Sequence, residues 1–269
     1  MDFIEPFERM LASAATPAAI RAVEAGGSSD AMWAAIAQSG YLDALVPEGH
    51  GGAGLSLIEV EPLLRALGRH AVPLPVAETM AARALMAEAG EAVPEGPIIL
   101  RTGPHPHPHR GSEYGVNLRP LAAVLAAVEI AGCAERLLDM SITHANDRVQ
   151  FGKPIAKQQA IQHQLAVMGE QVLMARMAGQ IGCAGGLHPD TRSAATAKQV
   201  ASSAAGKIAA IAHAIHGAMG ISADFDLHLY TRRIRALRLH AGSESYWSRV
   251  LGGERIKAAD VASVAWLAG

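Results

Sequence analysis

The sequence predicts an all-α chain. An N-terminal helical domain over residues 1–95 is joined by an irregular linker at 96–118 to a C-terminal four-helix bundle over 119–269. Three observations carry this reading. Apolar residues recur at helical spacing along most of the chain. The stretch that breaks the pattern is rich in Pro, Gly and His, residues that withhold amide donors or favour turns. Beyond it, several long apolar stripes follow one another, the signature of helices packed as a bundle.

Taken in order, Ile36, Leu42 and Leu45 precede a glycine-rich turn, after which Ile58, Leu63, Leu64 and Leu67 recur at helical spacing. The pattern predicts a further helix over residues 77–89 and one short strand over 98–100. Within the linker, Pro104, Pro106 and Pro108 push the intervening histidines toward extended backbone. Imidazoles ligate Zn, Cu and Ni, so the run Pro104-His105-Pro106-His107-Pro108-His109 invites a metal site. A polyproline helix has a threefold screw, however, and points successive histidines in different directions. The run is therefore read as linker, and no metal is assigned. Leu121, Val124, Leu125, Val128, Leu138 and Ile142 form the first stripe of the bundle, Leu165, Met168 and Val172 the second, and Val200, Ala204, Ile208, Ile211 and Ile215 the third. Met168, Met174 and Met177 read as adaptable core filler. Small residues dominate these helices, which lets backbones approach but supplies little apolar area per turn. Burial in an oligomer would compensate.

Half the residues are apolar, 18% are charged and the net charge is −2. Such a balance lacks the positive field that nucleic-acid backbones reward, although Arg232, Arg233, Arg235 and Arg238 leave room for a local anion site. Cys133 and Cys183 lie far apart in helix-like surroundings, so they read as packing residues of a reducing compartment. Asp2, Glu5 and Glu8 do not suit a signal peptide, and Glu129 interrupts the longest apolar run. The expectation is a cytoplasmic protein with no membrane span.

The most informative motif is Arg148-Val149-Gln150-Phe151-Gly152-Lys153-Pro154-Ile155, followed by Gln158-Gln159. An Arg fork pairs bidentately with phosphate oxygens, Gln150 adds a neutral donor, and Phe151 offers a flat apolar surface. Together with His144-Ala145-Asn146-Asp147 before it and Leu165-Ala166-Val167-Met168 after it, the segment resembles the start of the C-terminal helical domain of acyl-CoA dehydrogenases. Residues 40–57, with the turn Pro47-Glu48-Gly49-His50-Gly51-Gly52, and then Leu67-Gly68-Arg69, resemble the N-terminal helical domain of the same family. The resemblance implies an FAD enzyme that desaturates acyl-CoA thioesters and assembles as a dimer or higher oligomer. It implies that Arg148, Gln150, Phe151 and Gln159 hold the pyrophosphate and adenosine portion of a neighbouring subunit's FAD. His216, Gly217 and Gly220 would form the other half of that site.

The departures from the family are as telling. Its inserted β-domain, roughly a hundred residues and the size of an ordinary domain, has no counterpart between the two matches. Without that cover the redox end of the flavin would be half exposed. Most members carry the catalytic Glu just before a Gly-Thr pair, where this chain has Ala241; others carry it on the first long helix of the C-terminal domain, at about Ala122. Glu129 and Glu135 on that helix, His240 and Glu244 are the available substitutes; the carboxylates read more readily as solvated helix faces and His240 as a buried imidazole. Ala214 and Ala218 replace a family Gln and Gly, and Arg233 replaces an Asp, removing an ion-pair partner. The expectation is a degenerate or partner-dependent acyl-CoA dehydrogenase-like subunit, forming a homo-oligomer or a heteromer with a catalytic subunit. The alternative is a flavin-free helical scaffold.

Overall fold

The structure is a computed structural model and describes residues 3–100, 117–262 and 265–266. The Pro-His run and most of the expected linker lie outside the described residues. Five helices precede that gap: α1 (Ile4–Ala14), α2 (Pro17–Glu24), α3 (Asp30–Gln38), α4 (Leu57–Arg69) and α5 (Val76–Glu88). Five follow it: α6 (Arg119–Asp147), α7 (Gln159–Cys183), α8 (Thr191–His216), α9 (Leu227–Leu239) and α10 (Glu244–Lys257). Their starts carry conventional signals. The Thr16 hydroxyl accepts from the Ala19 amide with Pro17 following, Ser56 and Glu59 form a capping box, and Asp190 accepts from the Arg192 and Ser193 amides.

Helix α6 is the axis of the molecule. Every residue from Leu121 to Ala134 is buried, because α4, α7, α8 and α9 enclose it. Helices α6 to α9 form the bundle, and α10 lies along α8. The N-terminal helices dock through α4, where two glycines bring backbone against backbone. A Cβ on Gly68 would stand 2.0 Å from the Glu129 carbonyl oxygen, and one on Gly132 would stand 1.9 Å from that of Arg65. The Cys133 thiol donates to the Gly68 carbonyl at 3.1 Å across the same crossing. At its edge Arg65 meets Glu135 at 2.9 and 3.1 Å, and Arg69 reaches both Glu135 and Asp139. Among the described residues no helix is long and apolar enough to cross a membrane.

Several expectations are corrected here. Residues 98–100 are not a strand: the Ile98 amide donates to Thr79 Oγ1 and the Leu100 amide to Glu78 Oε2, so side chains of α5 satisfy the backbone. Met168 is core, but Met174 and Met177 are exposed on the outer face of α7. Glu129 is not on a solvated face; it is buried and bonded to Arg233 at 2.7 Å. Arg233 thus has an ion-pair partner on another helix. Arg232 and Arg238 likewise pair with Glu24 and Glu244.

Candidate functional site

The Arg148 motif forms a β-hairpin at the end of α6. Its strands, β1 (Val149–Gln150) and β2 (Lys153–Pro154), pair antiparallel with Gln150 opposite Lys153. The two residues between them, Phe151 and Gly152, have φ of 52° and 75°. A two-residue turn of this type needs positive φ at both central positions. Glycine adopts it freely, but a bulky aromatic is an outlier there. The strained Phe151 is 94% exposed, so its ring is presented at the tip instead of being packed. Arg148 ends α6 with extended backbone, and Gln159 opens α7; both side chains are exposed. Among the described residues no carboxylate pairs with Arg148.

A small cluster, Ala145, Ile155 and Ile215, fastens this hairpin to the end of α8. His216 there stacks on His144 of α6, with ring centroids 4.4 Å apart, and the Phe225 ring lies against it. The His216 ring is buried; its Nδ1 lies 2.8 Å from the Ala212 carbonyl, which can only accept, so Nδ1 carries the proton. Burial pushes the His216 imidazole down, and the His144 and His213 rings add to that push against the Ala212 carbonyl. His144 is pushed down by burial and then by Arg148. Both are therefore neutral near pH 7. Gly217 caps α8 at φ 56° with open space where a Cβ would stand. Gly220 differs: a Cβ there would meet Leu227 at 2.9 Å and His216 at 3.0 Å, so its lack of a side chain serves packing. The structure thus gathers Arg148, Gln150, Phe151, Gln159, His216 and Gly217 at one end of the bundle, with donors and an aromatic face exposed. That donor set suits a dinucleotide diphosphate.

The turn after α9 has a different chemistry. Ala241 has φ 57° and is nearly buried, and its carbonyl accepts from the Trp247 indole at 3.1 Å. Arg119, at the start of α6, stacks over Tyr246 at 4.8 Å, and Tyr246 in turn crowds Gly242. The first turn of α6, which leads into buried Ala122, therefore abuts the 240–246 segment. No carboxylate stands at either alanine. Glu244 is held by Arg238, whose hydrogen bond keeps its carboxyl below the usual range. His240, however, is not a buried imidazole satisfied by backbone: its Nε2 lies 2.5 Å from Oε1 of Glu78, a nearly buried residue of α5. Sequence reasoning passed over Glu78, although a lone acid amid Val76, Ala77, Met80 and Ala81 signals a buried partner. Lys198, fully buried, donates to the Leu237 and Arg238 carbonyls and so ties down the end of α9 that carries His240. Burial lowers its ammonium to about 7.

A model of the acyl-CoA dehydrogenase C-terminal domain matches residues 120–253, which contain both the hairpin and the α9 turn. Acyl-CoA dehydrogenase IpdE2 of Mycobacterium tuberculosis is 31% identical, over 85% of this chain and 88% of its own length. The chain belongs to the acyl-CoA dehydrogenase family. Acyl-CoA dehydrogenase FadE34 of the same organism is 27% identical over 99% of this chain, which spans half of FadE34. Among solved structures, the Tcur3481-Tcur3483 steroid ACAD G363A variant superposes with a TM-score of 0.82 at 21% identity, covering 96% of this chain and 98% of its own. The ChsE4-ChsE5 complex from Mycobacterium tuberculosis superposes at 0.76 and 18% identity, covering 97% of each chain. Two solved chains of nearly this length thus share the fold.

Proposed function

We propose that this chain is an FAD-binding subunit of an acyl-CoA dehydrogenase that works together with a second subunit of the same family on an acyl-CoA thioester. The observation that carries the flavin assignment is the hairpin: an Arg with no carboxylate partner among the described residues, two exposed Gln side chains and a strained, solvent-facing Phe151 stand beside the open Gly217 cap. Arg148 would pair with the diphosphate, Gln150 and Gln159 would add hydrogen bonds, and the Phe151 ring would cover the adenosine face. Bound FAD supplies the acceptor for the hydride that leaves the substrate β-carbon. The second subunit is supported by the similar ChsE4-ChsE5 complex, which joins two different chains; Ala241 and Ala122 leave the family's two usual base positions as methyl groups, so any base of this chain stands on another side chain. A steroid-derived acyl group is the substrate class favoured by the steroid ACAD neighbour. Arg148→Ala tests the assignment. The variant is expected to lose flavin absorbance on gel filtration while its far-UV circular dichroism is unchanged; equal flavin occupancy in variant and wild type sinks it.

A further inference from the structure

We infer that this chain carries its own general base for abstracting the α-proton of an acyl thioester: His240, oriented by Glu78. The inference rests on the reading above in one respect: Ala241 stands at one of the family's usual base positions, so the acyl group would lie against its turn. The geometry is that of a carboxylate–imidazole pair. A carboxylate only accepts, so the Nε2–H of His240 donates to Glu78 Oε1 at 2.5 Å, and this assigns the proton to Nε2. Nδ1 then carries a free lone pair, and among the described residues it has no hydrogen-bond partner. Glu78 is itself fixed, because its other oxygen accepts from the Leu100 amide at 2.7 Å and its side chain is 9% exposed. The imidazole is 37% exposed and so accessible to a ligand. A buried acid that holds a reachable imidazole in one tautomer is the arrangement that makes histidine a directed base.

The neighbours reinforce the pair. Glu129 on α6 and Arg233 on α9 form the buried ion pair described above, and Glu129 lies within electrostatic range of both Glu78 and His240. Arg233 gives that acidic cluster a fixed positive partner, and Lys198 holds the carbonyls just before His240. His240 therefore sits next to Ala241 on a turn anchored from α5, α8 and α10. The proposed step is balanced without an oxidant. The Cα–H proton moves to Nδ1, the C–H electron pair enters the thioester enolate, and the imidazolium exchanges its proton with water before returning one to Cα. His240 is the proposed catalytic residue and Glu78 a positioning residue.

The test is loss of deuterium from C2-deuterated butyryl-CoA, octanoyl-CoA and a steroid side-chain acyl-CoA in ordinary water, followed by mass spectrometry with the full chain in the oligomer it forms. Flavin content is read separately from the visible spectrum. Wild type is expected to wash out the label from at least one probe. His240→Gln keeps an N–H for Glu78 but has no basic nitrogen, and should be at least about 100-fold slower. Added imidazole should restore exchange in His240→Gly, and Glu78→Gln should lower kcat with little change in KM, neither of which a purely structural pair would give. Absence of washout from all three probes, or washout by His240→Gln at the wild-type rate, overturns the proposal. A colourless chain that exchanges deuterium sinks the flavin assignment and leaves the base standing; a flavin-loaded chain that does not exchange sinks the base alone.

Discussion

Glu129 and Arg233 show how a single residue can mislead. Each is a poor choice for a helix interior, since burial pushes the Glu129 carboxyl up, and the guanidinium beside it is the main group that opposes that push. The sequence presents them 104 positions apart, so nothing local joins them. The pairing of His240 with Glu78 was hidden for the same reason, at a separation of 162. By contrast the grouping of Arg148, Gln150, Phe151 and Gln159 at one end of the bundle was legible, because they lie within a dozen positions of one another. His216 supplies a prediction at this scale. Its imidazole is held below the ordinary value of 6.5, chiefly by burial, so the unfolded chain binds the proton more readily than the folded one. Its contribution is complete above pH 6.5 and is lost as pH falls through the lowered folded value. The buried carboxyls of Glu61 and Glu129, raised by burial, act in the opposite sense, and a paired comparison removes them. The drop in Tm between pH 7.5 and 5.5 should be smaller in His216→Met than in wild type; equal drops would rule out this role.

At the scale of elements, the crossing of α4 and α6 is the most demanding contact. Gly68 and Gly132 allow carbonyls of one helix to stand where side chains of the other would begin. Gly132→Ala must force the helices apart along the whole of α6, so the expected loss is about 3 kcal/mol or more, at the upper end for overpacking. Urea unfolding measures it, and a change under about 1 kcal/mol would show that the helices slide without penalty. Helix existence was legible from periodicity, as α4 and α5 illustrate: the apolar spacing placed the latter at 77–89, and it spans Val76–Glu88. The segment after it was misread as a strand, whereas the acceptors for its amides are the Thr79 and Glu78 side chains. The stripe Leu165, Met168 and Val172 marked the buried face of α7, but Met174 and Met177 were misread as core filler: with Leu173 and Ile181 they lie on the outer side of the helix.

For the whole molecule, that outer face bears on assembly. Leu173, Met174, Met177 and Ile181 recur along one side of α7 and are all exposed. Each is already about half covered, so burying the rest would contribute about 1 kcal/mol apiece, and a second chain of the family is the expected occupant. Leu173→Glu with Met177→Glu should lower the mass measured by light scattering at unchanged helicity, and an unaltered mass would place the subunit contact elsewhere. The overall architecture was readable because a bundle announces itself through successive stripes; the docking of the N-terminal helices was not, because it depends on glycines that periodicity ignores. That docking has a further consequence for the covalent chain. With α4 seated backbone to backbone on α6, Arg65 and Arg69 clasping Glu135, and Glu78 bonded to His240, the two halves hold one another through contacts that lie outside residues 101–116. Cut within residues 101–116, the polypeptide should therefore survive as two separately synthesised pieces that find each other, co-elute, and melt in a single transition.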